Sequence, residues 1–305
     1  MTDARGARTS LSTRADRENP ASRIPTSRRD WNRLMAELGI RPNKGLGQHF
    51  LFERGIVERM VRQAGIGPDD SVLEVGPGLG ILTSELLRKA RRVVAVEYDR
   101  GLAAHLETAF GDLPNFELIQ GNALHLTADD LFAPGVEFDV VANLPYSTGT
   151  AILRHLLEQP RKPRRLTVML QKEVAERITA TPPDMTILSV ATQFFAEPKL
   201  AFIVSPAVFI PPPKVESAVI HLDVRPEMPL PWEEQPLFFK ILNAGFRQKR
   251  KQVANAIADV LQLPKPEIAA WLQACGIDPM RRAETLSVAE WVTLTQAAPG
   301  NVRDA

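Results

Sequence analysis

The chain has 305 residues, 44% of them hydrophobic and 24% charged, with 37 basic against 36 acidic side chains. That composition fits one large globular domain plus a smaller one, and excludes a coiled coil, a collagen-like chain and a wholly disordered one. A single cysteine, Cys275, forms no internal disulfide or multi-thiolate metal site, no apolar run approaches a bilayer span, and no secretory signal opens the chain, so a cytoplasmic, metal-free protein is expected.

Residues 1–30 carry seven arginines against four acids and almost no large apolar residue. They bury too little surface to offset the entropy of ordering, so a disordered tail is expected. An organelle transit peptide is opposed by Asp3, Asp16, Glu18 and Asp30. From about residue 53 helical and strand patterns alternate: a helix over Glu53 to Ala64, a strand over Ser71 to Val75, a helix over Ile81 to Lys89 and a strand over Arg92 to Val96. A helix near Asp99 to Phe110, strands at Phe116 to Gln120 and Phe138 to Ala142, a helix near Thr148 to Glu158 and a strand at Leu166 to Leu170 continue the series. Such spacing implies parallel strands joined by right-handed crossovers, an open α/β sheet whose ligands sit at the strands' carboxyl ends. Pro226, Pro229, Pro231 and Pro236 mark a linker over 226–236. Helical patterns at Leu237 to Gly245, Gln248 to Leu261, Pro266 to Ala274 and Val288 to Gln296 then predict a small all-helical domain over 237–305.

The first strand runs into Gly76-Pro77-Gly78-Leu79-Gly80, where glycines allow a tight turn and close approach of a ligand. The G-x-G-x-G spacing differs from the G-x-G-x-x-G of nicotinamide sites. Glu97, at the end of the second strand, can accept both ribose hydroxyls of a nucleoside, while Asp99 is left to cap the next helix. Asn122 follows the third strand and reads equally as an adenine contact or a turn residue. The fourth strand ends in Asn143-Leu144-Pro145-Tyr146. There the Asn143 side chain and a neighbouring carbonyl can accept the two hydrogens of an exocyclic amine, and Tyr146 offers a face for stacking a base. A sharp turn with a buried tyrosine is the alternative for an isolated match.

Charge is uneven, since residues 31–160 sum to −5 and residues 161–305 to +3. Two basic runs stand out: Arg161, Lys162, Arg164 and Arg165, and Arg247, Lys249, Arg250 and Lys251. Each reads as a solvated helix end or loop, or as a phosphate-binding footprint.

Taken together, Gly76, Gly78, Gly80, Glu97, Asn122 and Asn143 fall at successive strand ends in the order a class I methyltransferase uses them. The chain resembles the bacterial small-subunit (16S) rRNA adenine dimethyltransferase family. Leu46-Gly47-Gln48-His49-Phe50-Leu51 resembles its N-terminal cofactor clamp, Phe209 to Ser217 its late loop and strand, and Phe246 to Lys251 the opening of its RNA-facing helical domain. The resemblance runs from about Lys44 to Leu294. It implies a Rossmann-like methyltransferase domain over 31–225, with S-adenosylmethionine contacted by His49, Leu51, Gly76, Gly78, Glu97, Asn122 and Asn143. It places catalysis at Asn143, Leu144, Pro145 and Tyr146, with the target adenine between Tyr146 and Phe209; core packing is the other reading of Phe209. The implied partner is 16S rRNA in the small subunit or its precursor, bound by a monomer through the two basic runs.

Two features depart from the family pattern. Asn122 stands where an aspartate is usual, and the stretch from Thr181 to Val190 lacks a usual Tyr-Gly. Alternatives are a large-subunit rRNA methyltransferase of the macrolide-resistance type, a ribosome-assembly factor with incidental catalysis, and, disfavoured by glycine spacing, a nicotinamide oxidoreductase.

Overall fold

The computed structural model describes residues 19–42, 47–248 and 250–304, so Leu46, Lys249 and the first 18 residues lie outside the described set. Helix α1 (Arg28–Glu37) precedes the short strand β1 (Phe50–Leu51) and α2 (Arg54–Ala64). The alternating series then runs β2 (Ser71–Val75), α3 (Ile81–Lys89), β3 (Arg92–Glu97), α4 (Arg100–Phe110), β4 (Phe116–Gln120), α5 (Ala128–Leu131), β5 (Asp139–Asn143), α6 (Gly149–Glu158) and β6 (Arg165–Gln171). After it come α7 (Lys172–Ile178), α8 (Ile187–Phe195), β7 (Ala196–Val204), β8 (Phe209–Ile210) and β9 (Ser217–Val224). The C-terminal helices are α9 (Gln235–Phe246), α10 (Val253–Leu261), α11 (Lys265–Ala274), α12 (Val288–Gln296) and α13 (Gly300–Asp304).

The main sheet has seven strands in the order β4-β3-β2-β5-β6-β9-β7. The strands from β4 to β6 are parallel, and β9 and β7 are antiparallel. The alternating series thus forms the expected parallel sheet. The chain steps outward from β2 to β4 on one side and restarts with β5 on the other side of β2. This switch point opens a crevice at the carboxyl ends of β2 and β5, where open α/β sheets bind ligands. Two sequence motifs, Gly76 to Gly80 and Asn143 to Tyr146, emerge there.

Four features differ from expectation. Strands β7 and β9 pair antiparallel, with a single 3-10 turn and the short strand β8 between them in place of a crossover helix. Residues 19–30, the described part of the expected tail, are docked: Ala21 and Ile24 are buried, Arg23 bonds the Ala109 carbonyl and Asp112, and Arg54 donates to the Ala21 carbonyl at 2.9 Å. A few docked side chains suffice because the segment adds to an existing core with Trp31 and Met35 instead of building its own. In the proline-rich 226–236 stretch Leu230 is buried, and Pro236 lies in the first turn of α9, where its missing N–H costs nothing. Finally, Gln248 and Arg250 to Gln252 are not helical; α10 begins at Val253, whose N–H is held by the Arg281 carbonyl at 2.7 Å.

The C-terminal helices share the core of the sheet. One apolar cluster joins Val140, Leu166 and Ile220 to Phe238, Ile257 and Trp291. Phe194 of α8 meets Phe238 of α9 with ring centroids 4.4 Å apart.

Candidate active site

The glycine turn after β2 wraps a carboxylate. Gly78 has φ +60°, and a Cβ there would meet the Phe50 ring at 3.2 Å. Its N–H donates to Glu97 Oε2 at 3.1 Å, and the Asp99 N–H donates to Oε1 at 2.9 Å. Gly80 has φ +86°, and a Cβ there would lie 2.7 Å from Phe110, so the turn also needs glycine to pack on α4. Burial raises the Glu97 pKa above its ordinary value, against the lowering effect of these amide bonds. Asp99 caps α4 through the Gly101 and Leu102 amides, as the sequence suggests.

Two adjoining compartments meet at Gly76, Glu97 and Pro145. The apolar one, about 210 Å³, is lined by Val75, Val96, Tyr98, Asn122, Leu124 and Ile152 among others. The other, about 80 Å³, contains His49, Leu51, Gly78, Asn143 and Tyr146. Every cofactor residue expected from the sequence therefore borders one cleft. Asn122 fills the turn role, its Oδ1 accepting from the Leu124 N–H at 3.0 Å, and the residue also borders the apolar compartment.

The turn after β5 supplies two acceptors. The half-buried Asn143 side chain takes no hydrogen bond from the described residues and faces the smaller compartment. The Pro145 carbonyl is already taken by the Thr148 and Gly149 amides at 3.2 and 2.7 Å, where it closes the first turn of α6. The Leu144 N–H is held by the Met169 carbonyl at 3.2 Å, while its own carbonyl accepts nothing from the described residues. The neighbouring carbonyl left available is therefore that of Leu144.

Tyr146 is braced from two sides. Its hydroxyl pairs with the Ser217 hydroxyl at 2.5 Å, and the His49 ring lies against it at 5.2 Å between centroids. His49 Nδ1 in turn donates to the Pro211 carbonyl at 2.7 Å. Burial pushes the tyrosine pKa up, with the Ser217 hydrogen bond opposing the rise. Phe209 is placed differently from the stacking expectation: it is fully buried on β8, pairs with Leu51 of β1 and belongs to the core. The core reading of Phe209 holds because a ring with no exposed surface presents no face to a base.

The first basic run is likewise consumed internally. Arg161 bonds Asp129 and the carbonyls of Phe132, Ala133 and Val136. Arg164 reaches Asp70 and Asp139 at 2.6 and 2.9 Å, and Arg165 reaches Asp139 at 2.6 Å. Lys162 donates to the Gln159 carbonyl and lies over the Phe195 and Trp232 rings. This cluster sits at the amino ends of β5 and β6, opposite the cleft, and its charge is bonded within the protein. In the second run Arg247 and Arg250 are exposed without side-chain partners among the described residues, whereas Lys251 pairs with Asp259 at 2.6 Å.

Sequence reasoning passed over Glu74. It lies on β2, only 1% exposed, with Oε2 lacking a hydrogen-bond partner among the described residues, and it lines the smaller compartment. The signal was available as an acid inside the apolar run Ser-Val-Leu-Glu-Val. Burial pushes its pKa from 4.5 up to about 8, with the neighbouring Thr83 opposing the rise and the Glu97 charge adding to it. The native state therefore holds a proton that the unfolded chain loses above pH 4.5, so this contribution to stability is present at low pH and drains away as pH rises to about 8. Glu74→Gln is expected to flatten that decline in thermal-melting midpoint between pH 5 and 8.5; an unchanged slope would contradict the burial argument.

The site fits S-adenosylmethionine, the methyl donor of class I methyltransferases. Its adenine suits the apolar compartment, Glu97 can receive its ribose hydroxyls, and the glycine turn leaves the close approach that a side chain would block. Comparison with known proteins agrees. A family model described as "Ribosomal RNA adenine dimethylase" matches residues 39–298. A "Ribosomal RNA small subunit methyltransferase A" from Dehalococcoides mccartyi is 41% identical over 268 residues, covering 88% of this chain and 92% of the relative. Among solved structures, the 23S rRNA methyltransferase ErmE superposes with a TM-score of 0.66 at 27% identity, covering 81% of this chain and 98% of that one. A dimethyladenosine transferase from Plasmodium falciparum shares the fold with a TM-score of 0.70 at 24% identity, over 81% of this chain and 96% of that one. With the family match spanning most of the chain and the glycine turn, Glu97 and Asn143 gathered in one cleft, this protein belongs to the ribosomal RNA adenine dimethylase family.

Proposed function

We propose that the protein transfers methyl groups from S-adenosylmethionine to N6 of two adjacent adenosines in the 3′-terminal hairpin loop of 16S rRNA, as a cytoplasmic monomer acting in small-subunit biogenesis. The observation that carries this reading is the unpaired Asn143 amide beside the unpaired Leu144 carbonyl, next to Tyr146 in the cleft. The cofactor supplies an electrophilic methyl on a sulfonium. Adenine N6 is a weak nucleophile because its lone pair is delocalised into the ring. Accepting both amine hydrogens, through the Asn143 oxygen and the Leu144 carbonyl, favours a pyramidal nitrogen with its lone pair directed at the methyl. No strong base is needed, since the methylated nitrogen sheds its proton readily, and the acceleration rests on positioning and on dipoles set before reaction.

The target base must leave its stack to reach the cleft, where Tyr146, fixed by Ser217, provides one face. Arg247 and Arg250 remain candidates for the RNA backbone because they are exposed and uncommitted. The small-subunit substrate is favoured over a large-subunit one by the 41% identity to a small-subunit methyltransferase across nearly its whole length, against 27% to ErmE. The test is cofactor-dependent methyl incorporation into small-subunit particles lacking the mark, with protein-free large-subunit RNA in parallel. Two adjacent dimethyladenosines near the small subunit's 3′ end are expected; incorporation confined to the large-subunit RNA would overturn the assignment.

A further inference from the structure

Two carboxyl groups, Glu74 and Glu97, border the smaller compartment, and neither forms an ion pair with any described cation. Their situations differ. Both Glu97 oxygens accept backbone N–H groups, whereas Oε2 of Glu74 has no hydrogen-bond partner among the described residues. The other groups facing it are Thr83 of α3, which holds its pKa down, and the titratable His49 and Tyr146 across the same compartment. His105 of α4 reaches only the Leu79 carbonyl, at 3.4 Å. A carboxylate buried without a cation is held neutral by a proton. What would release that proton is a positive charge arriving in the compartment.

We propose that Glu74 is a proton-exchanging residue of the methyl-donor site, giving up its proton when the cationic end of the cofactor enters and regaining one when that charge leaves. The inference deepens the reading of this cleft as the methyl-donor site and rests on it. S-adenosylmethionine carries two positive groups, a sulfonium and an ammonium; S-adenosylhomocysteine keeps only the ammonium, and methylthioadenosine has neither. Transfer converts the sulfonium to a neutral thioether, and the methylated nitrogen releases one proton to solvent. Glu74 draws its own proton from solvent when the positive charge departs, so charge and protons balance without direct transfer between the two sites.

The first consequence is that proton and cofactor compete. Affinity for S-adenosylmethionine should weaken by up to tenfold for each unit that pH falls below neutrality, the limit for one linked proton. The decisive experiment is calorimetric titration of the full chain at pH 7 in two buffers of different ionisation enthalpy, using the three ligands above. Wild type should release close to one proton with S-adenosylmethionine and none with methylthioadenosine. Equal release with S-adenosylhomocysteine assigns the exchange to the ammonium, and smaller release assigns it to the sulfonium; either supports the proposal. Glu74→Gln should bind S-adenosylmethionine without proton release.

Measurable binding of S-adenosylmethionine without proton release, or the same release with methylthioadenosine, overturns the proposal and leaves the methyl-donor site standing. Failure of the wild type to bind S-adenosylmethionine or S-adenosylhomocysteine at all overturns both. The wild-type comparison needs no variant, so a misfolded Glu74→Gln protein does not rescue the idea.

Discussion

Asn143→Ala is expected to lower the single-turnover methylation rate by about 10²- to 10³-fold, the usual effect of removing one preorganised polar group from a reacting centre. The reasoning is local. Asn143 is the last residue of β5, half-buried, and its amide meets no other described group, so its removal leaves the sheet intact and takes away one of two acceptors for the amine. Binding of S-adenosylmethionine, measured by calorimetry, should change by less than about tenfold, because Glu97 and the glycine turn are untouched. A rate within threefold of wild type would remove Asn143 from the proposed chemistry. Asn143→Asp offers a further check: it keeps an acceptor oxygen but adds charge to a cleft that already holds Glu74 and Glu97, so it should recover part of the rate.

Why this residue was readable from sequence, and others were not, is a matter of what a linear pattern contains. Strand ends are marked by the change from apolar run to glycine, acid or proline, and a parallel sheet brings those ends to one edge. Gly76, Glu97, Asn122 and Asn143 thus meet in the cleft because topology requires it. The choice between the Leu144 and Pro145 carbonyls depends on which one the first turn of α6 uses, and hydrogen-bond direction leaves no trace in residue identity. The support of Tyr146 by Ser217 links positions 71 residues apart, and the support of His49 by Pro211 links positions 162 apart. Phe209 shows the opposite problem: an aromatic residue in a motif looks the same whether its ring faces a ligand or the core, and here the pairing of β8 with β1 encloses it.

The fold was legible in proportion to its periodicity. The parallel strands and the longer helices between them carry apolar runs and clean amphipathic spacing, and their boundaries fall within a residue or so of the sequence reading, whereas the four-residue α5 was not read at all. The antiparallel pair β7 and β9 was less visible. Strand β7 includes Pro198 and a register irregularity between Leu200 and Phe202, and it lies at the sheet edge with Leu200 partly exposed, so it lacks the signature of a buried strand. Composition misled most for residues 19–30, where Arg23 and Arg54 act as structural ties instead of solvated charge.

The same distinction between tie and footprint gives the second large effect. Asp139→Ala is expected to destabilise the protein by about 2–3 kcal/mol, below the roughly 3–5 kcal/mol typical of a broken buried ion pair because the arginines it faces are about a third exposed and partly screened. Its own side chain is 2% exposed and accepts from Arg164 and Arg165, so its removal leaves two guanidinium groups packed at the foot of β5 and β6 with Asp70 and Glu137 as the remaining acids. For a chain of this size that corresponds to a melting midpoint lower by roughly 3–5 °C. Arg164→Ala should also lower the midpoint and leave the salt dependence of RNA binding unchanged, because Arg164 stands at the foot of the sheet, about 13 Å below the catalytic end of β5. The double variant Arg247→Ala/Arg250→Ala should behave in reverse, with an unaltered midpoint and a log-affinity against log-salt slope smaller by about 0.7–0.9 for each phosphate that is no longer neutralised. Charge in this protein is therefore separated by partner: arginines already bonded to carboxylates hold the sheet, and only uncommitted ones are free to meet RNA. A salt slope reduced by Arg164→Ala and untouched by the double variant would reverse that assignment and return the first basic run to the RNA interface.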